Sequence, residues 1–187
     1  EMQRSLVGSE MCIRDRFYTV LGSYLSEAVG HGMNMLYVPL FTPPLDTEVG
    51  RERKTVQLVR VYKNGERFSF DFGELKKFLS FAFKKGIRYF EMSHLATQWG
   101  GKYCPKIVAF EAGNERKIFG WETSSCGREY EAFLRRFLPE LDNFLKREGY
   151  AERVYFHISD EPSEENIEGY AAAAKIIRQL LPGYRFM

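Results

Sequence analysis

The chain has 187 residues, enough for one domain with a sizeable core. Its 27 basic and 25 acidic side chains nearly balance, and no basic run is long enough to indicate a nucleic-acid partner. No run of about 18 apolar residues is present, so no membrane-spanning helix is predicted. The 3 cysteines show no C-x-x-C spacing, so they indicate neither a zinc site nor a disulfide framework.

The aromatic content is high, at 16% of the residues. Two explanations are open at this stage. Aromatic-rich chains often bind sugars or other flat, partly apolar ligands. The alternative is a core built largely from phenylalanine, since aromatic side chains bury large apolar areas.

Both ends of the sequence indicate truncation. Segment 1–16 (EMQRSLVGSEMCIRDR) has no apolar region typical of a signal peptide, and it resembles translated sequencing-adapter text. We therefore predict that 1–16 is non-native and that the domain comprises 17–187. The last residues, from Tyr184, resemble the start of a strand. Any native export signal would then lie outside this chain.

The first predicted unit is a strand, a hairpin and a helix. Segment 33–41 is short and apolar and ends at a Thr-Pro-Pro turn, which is typical of a buried strand. Two alternating runs, 56–62 and 67–70, flank the turn-forming pair Asn64-Gly65, so they predict a hairpin. An apolar stripe that begins at Leu75 predicts the helix that follows.

The second unit repeats this order. Segment 87–92 is predicted to be a strand, and 107–110 with 117–121 a second hairpin. The clearest helix is 129–147, where Pro139 is expected to introduce a kink or a break. Its apolar residues recur every three or four positions: Tyr130, Phe133, Leu134, Phe137, Leu138, Leu141, Phe144 and Leu145.

A strand at 153–159, a helix capped by Ser163 and a fourth strand from Tyr184 complete the pattern. Strands that alternate with helices predict an α/β fold with a parallel sheet. A doubly wound sheet and a barrel both fit, but no G-x-G-x-x-G motif follows the first strand. Because a full barrel needs about 250 residues, we predict a partial (β/α)8 TIM-type barrel, with about half present and β-hairpin insertions.

Ligands of parallel α/β folds bind at the carboxyl ends of the strands. This rule selects Asp46 after the first strand and Asp160 and Glu161 after the third. After the second strand it selects His94, Gln98 and Trp99. The adjacent acids Asp160 and Glu161 are the best catalytic candidates, although two solvated loop acids would give the same pattern.

Because Asp160 and Glu161 are adjacent in the sequence, they suit only some mechanisms of glycoside hydrolysis. A typical retaining glycosidase places its two carboxyls about 5 Å apart, on either side of the anomeric carbon. Neighbouring residues cannot easily flank a sugar, but they can serve two neighbouring groups of one substrate. One acid could protonate the glycosidic oxygen while the other holds a group on the next ring carbon. This division suits hydrolysis assisted by a 2-acetamido group of the sugar itself.

The other polar and aromatic candidates have alternative roles. Trp99 and Trp121 could each stack on a sugar ring or pack under a loop. His94 could bond a hydroxyl or make a structural hydrogen bond. Metal-ligating atoms also occur at Glu91, His157 and the two acids. Because His157 and Asp160 should face opposite ways on a straight strand, we assign no metal and no other cofactor.

Three motifs resemble glycoside hydrolase family 123, in its broad branch described as domain of unknown function 4091. They are HGMNMLYVPLFTPPLDT (31–47), YFEMSHLATQWGGKYCPKI (89–107) and YFHISDEP (155–162). The resemblance implies a (β/α)8 barrel and β-N-acetylgalactosaminidase-type hydrolysis of glycans or glycolipids. By analogy, Asp160 would orient and polarise the acetamido group, and Glu161 would be the general acid and then the general base.

The resemblance also implies a carbohydrate substrate and a secreted, periplasmic or cell-surface location. It leaves the oligomeric state open. Two alternatives remain: a barrel that binds glycans without cleaving them, and a metal-dependent sugar isomerase or hydrolase. Half a barrel would leave open sheet edges, so the isolated chain is expected to be inactive and poorly soluble.

Overall fold

The computed structural model describes residues 2–44, 47–98, 100–160, 162, 164 and 166–187, with side chains from residue 16 onward. The predicted cap at Ser163 lies outside these ranges. Within them, no helix is both long and apolar enough to cross a lipid bilayer.

The elements follow in the order α1 Met2–Gly30, β1 Met35–Val38, β2 Arg60–Asn64, β3 Arg67–Asp71, α2 Gly73–Lys84, β4 Tyr89–Met92, β5 Ile107–Glu111, β6 Asn114–Phe119, α3 Arg128–Arg147, a 3-10 turn Ala151–Arg153, β7 Val154–Phe156, α4 Ile167–Leu180 and β8 Arg185–Phe186.

The main sheet is parallel, with strand order β1-β4-β7-β8. One of its faces is apolar: Val38, Met92 and Phe156 are register partners and are fully buried. They belong to one core with Leu79 of α2 and Ile177 of α4. The predicted α/β fold with a parallel sheet is therefore confirmed. The four strands form an open sheet, and the described residues contain no closed barrel.

The opposite face of this sheet carries polar and aromatic side chains. Tyr37, Glu91 and Tyr155 are register partners across β1, β4 and β7, and each is partly exposed. Arg185 of β8 continues the row and donates a hydrogen bond of 2.7 Å to the Tyr155 hydroxyl. The sheet thus has one face that forms the core and one that presents functional groups.

The two predicted hairpins join in a second sheet, with order β3-β2-β5-β6. Its central strands pair in parallel through Val61 with Ala109 and Tyr62 with Phe110. Gln57 extends this pairing: its side-chain amide donates to the Val108 carbonyl at 2.8 Å and accepts from the Val108 amide at 3.1 Å. The sequence predicted each hairpin but not their association.

Helix α3 explains much of the aromatic content. It packs against β3 and α4, and its apolar stripe is buried as the sequence predicted. Phe137 lies 4.8 Å from Phe41 and 5.1 Å from Phe70, measured between ring centroids. Pro139 lies inside one continuous helix, so of the two predicted effects the break does not occur, while the kink stays a prediction. Burial of the apolar face on both sides of Pro139 compensates for the missing backbone hydrogen bond.

Helix α1 was not predicted, because we assigned no element before residue 33. Its second half packs on α2, where the Tyr18 and Phe81 rings meet edge to face at 4.9 Å. At the far end, Gly86 follows α2 with φ of 113°. A Cβ there would lie 2.7 Å from a Val29 methyl carbon, so this contact requires glycine.

Candidate functional site at the carboxyl edge of the parallel sheet

Backbone pairing continues beyond the ends of β4 and β7. The Leu95 amide donates to the His157 carbonyl at 3.2 Å, and the Ala96 amide donates to the Ile158 carbonyl at 2.9 Å. The loop after β4 therefore runs beside the segment that leads from β7 to Asp160.

Two side-chain hydrogen bonds and one close contact with the start of α4 also hold the loop after β4 in place. Ser159 donates its hydroxyl hydrogen to the Thr97 carbonyl at 2.6 Å, and Tyr130 of α3 donates to the Leu95 carbonyl at 2.6 Å. Gly100 has φ of 85°, and a Cβ at this position would lie 2.2 Å from the Asn166 side chain. Only glycine allows the loop to approach the start of α4 this closely.

This arrangement brings together His94, His157 and Asp160. The two imidazole rings are 4.0 Å apart between centroids. One ring nitrogen of each histidine and one carboxylate oxygen of Asp160 all lie within 4.8 Å of one another. The prediction that His157 and Asp160 face opposite ways is wrong. Strand β7 ends at Phe156, and the alternation of a straight strand does not extend as far as Asp160.

His157 is held by Glu91. Its Nδ1 lies 2.8 Å from a carboxylate oxygen of Glu91, which is a diagonal neighbour on the polar face of the sheet. A carboxylate only accepts hydrogen bonds, so Nδ1 carries the hydrogen. In the neutral ring, Nε2 then presents its lone pair.

His94 is held by Tyr37 and is almost fully enclosed. Its Nδ1 lies 3.0 Å from the Tyr37 hydroxyl, and the residue is 2% exposed. Burial lowers the pKa of His94 from 6.5 to about 4, helped by neighbouring His157 and opposed by Asp160. His94 is therefore neutral at neutral pH. Its Nε2 is buried and has no hydrogen-bond partner within the described part of the chain.

Sequence reasoning did not assign Tyr37 or Arg53 to the site. Burial raises the pKa of the Tyr37 hydroxyl, as do the charges of Glu91 and Asp160, while a hydrogen bond with the His94 backbone and the charge of Arg53 act to lower it. The register of β1 against β4 places Tyr37 beside Glu91. Recognition of that pairing would have found Tyr37, whereas Arg53 lies in a loop with no distinguishing motif.

The remaining predicted site residues divide into two groups. Asp160 is half-buried in the cluster, and Gln98 is buried in the loop after β4. Asp46, Trp99 and Glu161 lie outside the described residues, so their assignments stay predictions.

Trp121 lies just beyond the second hairpin. Its indole N–H donates to the Arg51 carbonyl at 2.8 Å, and its ring meets Tyr103 edge to face at 5.9 Å. The cavity beside it has a volume of only about 20 Å³. Trp121 makes these packing contacts in this structure, and its assignment as a sugar-binding residue stays a prediction.

The family profile of the glycoside hydrolase 123 catalytic domain matches residues 11–187. The chain belongs to glycoside hydrolase family 123. Among solved structures, it is similar to a family 123 glycoside hydrolase from Clostridium perfringens, studied for glycolipid glycan hydrolysis. The TM-score is 0.65 at 15% sequence identity, over 87% of this chain and 28% of that enzyme. A search of curated proteins gave no match.

The family 123 chain thus spans little more than a quarter of the Clostridium perfringens enzyme. Family membership places residues 11–187 in the catalytic-domain family of glycoside hydrolase 123. At this level of identity the structural likeness extends to the fold alone.

Proposed function

We propose that this chain carries the catalytic acids of a β-N-acetylgalactosaminidase-like enzyme that removes a terminal 2-acetamido sugar with retention. The observation that carries the proposal is the position of Asp160. Its carboxylate lies at the carboxyl edge of the parallel sheet, against the loop after the neighbouring strand β4. Glu161 is next in the chain.

In the proposed reaction the sugar supplies its own nucleophile. The acetamido oxygen attacks the anomeric carbon while Glu161 protonates the departing glycosidic oxygen. Asp160 accepts a hydrogen bond from the acetamido N–H and so orients and polarises the amide. The product is an oxazolinium-like ring. Glu161 then takes a proton from the water that opens this ring, which restores the anomeric configuration.

The histidine pair suits a site in which positive charge develops on the sugar during the reaction. Neutral His94 adds no positive charge beside Asp160, and the lone pair of His157 can accept a hydrogen bond from a sugar hydroxyl. Asp160 is then proposed to stabilise the cationic intermediate through its negative charge.

The strand order supports a barrel. A doubly wound sheet reverses its strand order at a switch point, but here the order β1-β4-β7-β8 follows the chain without reversal. Sequential parallel strands are the arrangement of a (β/α)8 barrel, in which the polar face of Tyr37, Glu91 and Tyr155 would point inward. We therefore propose that the four strands are about half of such a barrel.

The substrate is proposed to be a glycan or glycolipid. The Clostridium perfringens enzyme, by its description, hydrolyses glycolipid glycans, and the resemblance to the family favours a secreted, periplasmic or cell-surface location. A partial barrel predicts that activity belongs to the complete reading frame rather than to the isolated 187 residues.

The test is hydrolysis of 4-nitrophenyl N-acetyl-β-galactosaminide by the product of that complete reading frame. Glu161→Gln should lower kcat at least about 100-fold, because the general acid is lost, while substrate binding is retained. The matched control is Glu164→Gln, since Glu164 is an exposed acid of the same loop. Unchanged turnover in the Glu161 variant would refute the proposal, as would equal loss in both variants.

A glycan-binding barrel without catalysis predicts no hydrolysis by the wild type. A metal-dependent isomerase or hydrolase predicts loss of activity when a chelator is added. The proposed mechanism predicts that a chelator does not lower activity.

A further inference from the structure

We infer that His94, His157 and Asp160 form a binding site for one divalent cation of the Zn²⁺ type. The donors would be two imidazole nitrogens and one carboxylate oxygen. This set suits borderline transition metals, whereas Mg²⁺ and Ca²⁺ prefer oxygen alone.

The spacing of the three donors is close to that of a metal site. They lie within 4.8 Å of one another. A tetrahedral ion with ligands at about 2.0–2.2 Å holds neighbouring donors about 3.4 Å apart. The donors are therefore within about 1.4 Å of the spacing that an ion requires.

The hydrogen-bonding pattern prepares both rings for a cation. Glu91 fixes the hydrogen on Nδ1 of His157 and so directs the Nε2 lone pair outward. A carboxylate that orients a ligating histidine in this way is a common feature of metal sites. When Nδ1 of His94 donates its hydrogen to the Tyr37 hydroxyl oxygen, Nε2 presents its lone pair to a ligand.

His94 provides the independent sign of a ligand. Its Nε2 is buried in a residue that is 2% exposed and has no hydrogen-bond partner among the described residues. Leaving a buried polar atom unpaired costs about 1–3 kcal/mol. A cation held jointly by His94, His157 and Asp160 removes this cost and places a positive charge beside the Asp160 carboxylate.

The binding of a cation would affect catalysis, and this consequence rests on the proposed function. A carboxylate that ligates a metal is not available to the acetamido group. Zn²⁺ should therefore inhibit hydrolysis competitively, and a chelator should reverse the inhibition.

Binding is tested without any sugar, so its outcome is independent of the proposed reaction. The chelator-treated product of the complete reading frame is titrated with ZnCl₂ by calorimetry. His94→Gln, His157→Gln and Asp160→Asn should each weaken one zinc site at least about tenfold. The matched control is His31→Gln, because His31 is exposed, pairs with Glu27 at the end of α1 and is not a member of the cluster.

Equal zinc binding by wild type and the three cluster variants would overturn the inference, as would selective loss in the His31 variant. Crystals of the wild type grown with ZnCl₂ give a second measurement that does not depend on the folding of variants. An anomalous peak among His94, His157 and Asp160 supports the site. A peak elsewhere or no peak overturns it.

Discussion

His94 shows how burial sets the charge of this site. Its ring is enclosed between Tyr37 and His157, and the loss of hydration outweighs the attraction of Asp160 for a protonated ring. The folded protein therefore binds this proton less tightly than the unfolded chain does. A lower pH should therefore decrease the free energy of unfolding, because His94 is protonated more readily in the unfolded chain.

The pH dependence follows from the direction of the shift. The pKa of His94 falls from 6.5 to about 4 on folding, so its contribution to stability is complete above about pH 6.5 and is lost as the pH falls toward 4. The difference in unfolding free energy between wild type and His94→Gln should be smaller at pH 5 than at pH 7, by about 2 kcal/mol. Urea unfolding with chelator present measures this difference. A constant difference would contradict it, and His31→Gln is the control.

The residues of the site were only partly predictable. Asp160 and His94 follow strands, and the rule that ligands bind at strand ends selected both. The partnership of His157 with Asp160 was missed because alternation was extended beyond Phe156, where the strand ends. Tyr37 and Arg53 were missed because their roles depend on neighbours distant in the sequence.

At the scale of elements, prediction succeeded where the determinants are local. The stripe of α3 and the hairpin at Asn64-Gly65 are properties of short segments, and both elements occur, although the two-residue turn is Gly65-Glu66 because Asn64 pairs with Arg67. The parallel pairing of β2 with β5 joins residues almost fifty positions apart, and no short-range pattern encodes it. Helix α1 was missed because 1–16 had been set aside as non-native.

Pro139 offers a test of how α3 is stabilised. It is exposed and lies inside the helix, where it cannot donate a hydrogen bond to the Arg135 carbonyl. Pro139→Ala should therefore raise the unfolding free energy by about 1–3 kcal/mol, measured by urea unfolding. Glu140→Ala, at the next exposed position, should change it by about 0.5 kcal/mol or less. A destabilised Pro139 variant would show that the ring itself supports the helix.

At the scale of the whole molecule, the parallel sheet has one covered face and one polar face. Tyr37, Glu91 and Tyr155 are only partly buried, and β1 and β8 each pair on one side within the described sheet. Exposed strand edges promote association between chains. The barrel proposal accounts for both features, because closure would pair the edges and enclose the polar face.

The isolated 187-residue chain should accordingly be inactive and should self-associate. Analytical ultracentrifugation over a range of concentrations measures the association, and the product of the complete reading frame is the comparison. A monomeric isolated chain with a sharp, cooperative thermal transition would contradict the barrel proposal.

The most direct test of substrate-assisted hydrolysis is whether the effect of Asp160 on catalysis depends on the acetamido group of the substrate. The values of kcat/KM are compared for aryl β-galactosides that carry either 2-acetamido or 2-hydroxyl, with wild type and Asp160→Asn. If the acetamido group is the nucleophile and Asp160 acts on it, the wild type should cleave the 2-hydroxyl substrate at least about 100-fold more slowly than the 2-acetamido substrate. The substitution should then lower kcat/KM about 100-fold or more for the 2-acetamido substrate and change the low residual rate on the 2-hydroxyl substrate little. Equal losses on both substrates, or no loss on either, would contradict substrate-assisted hydrolysis at this site.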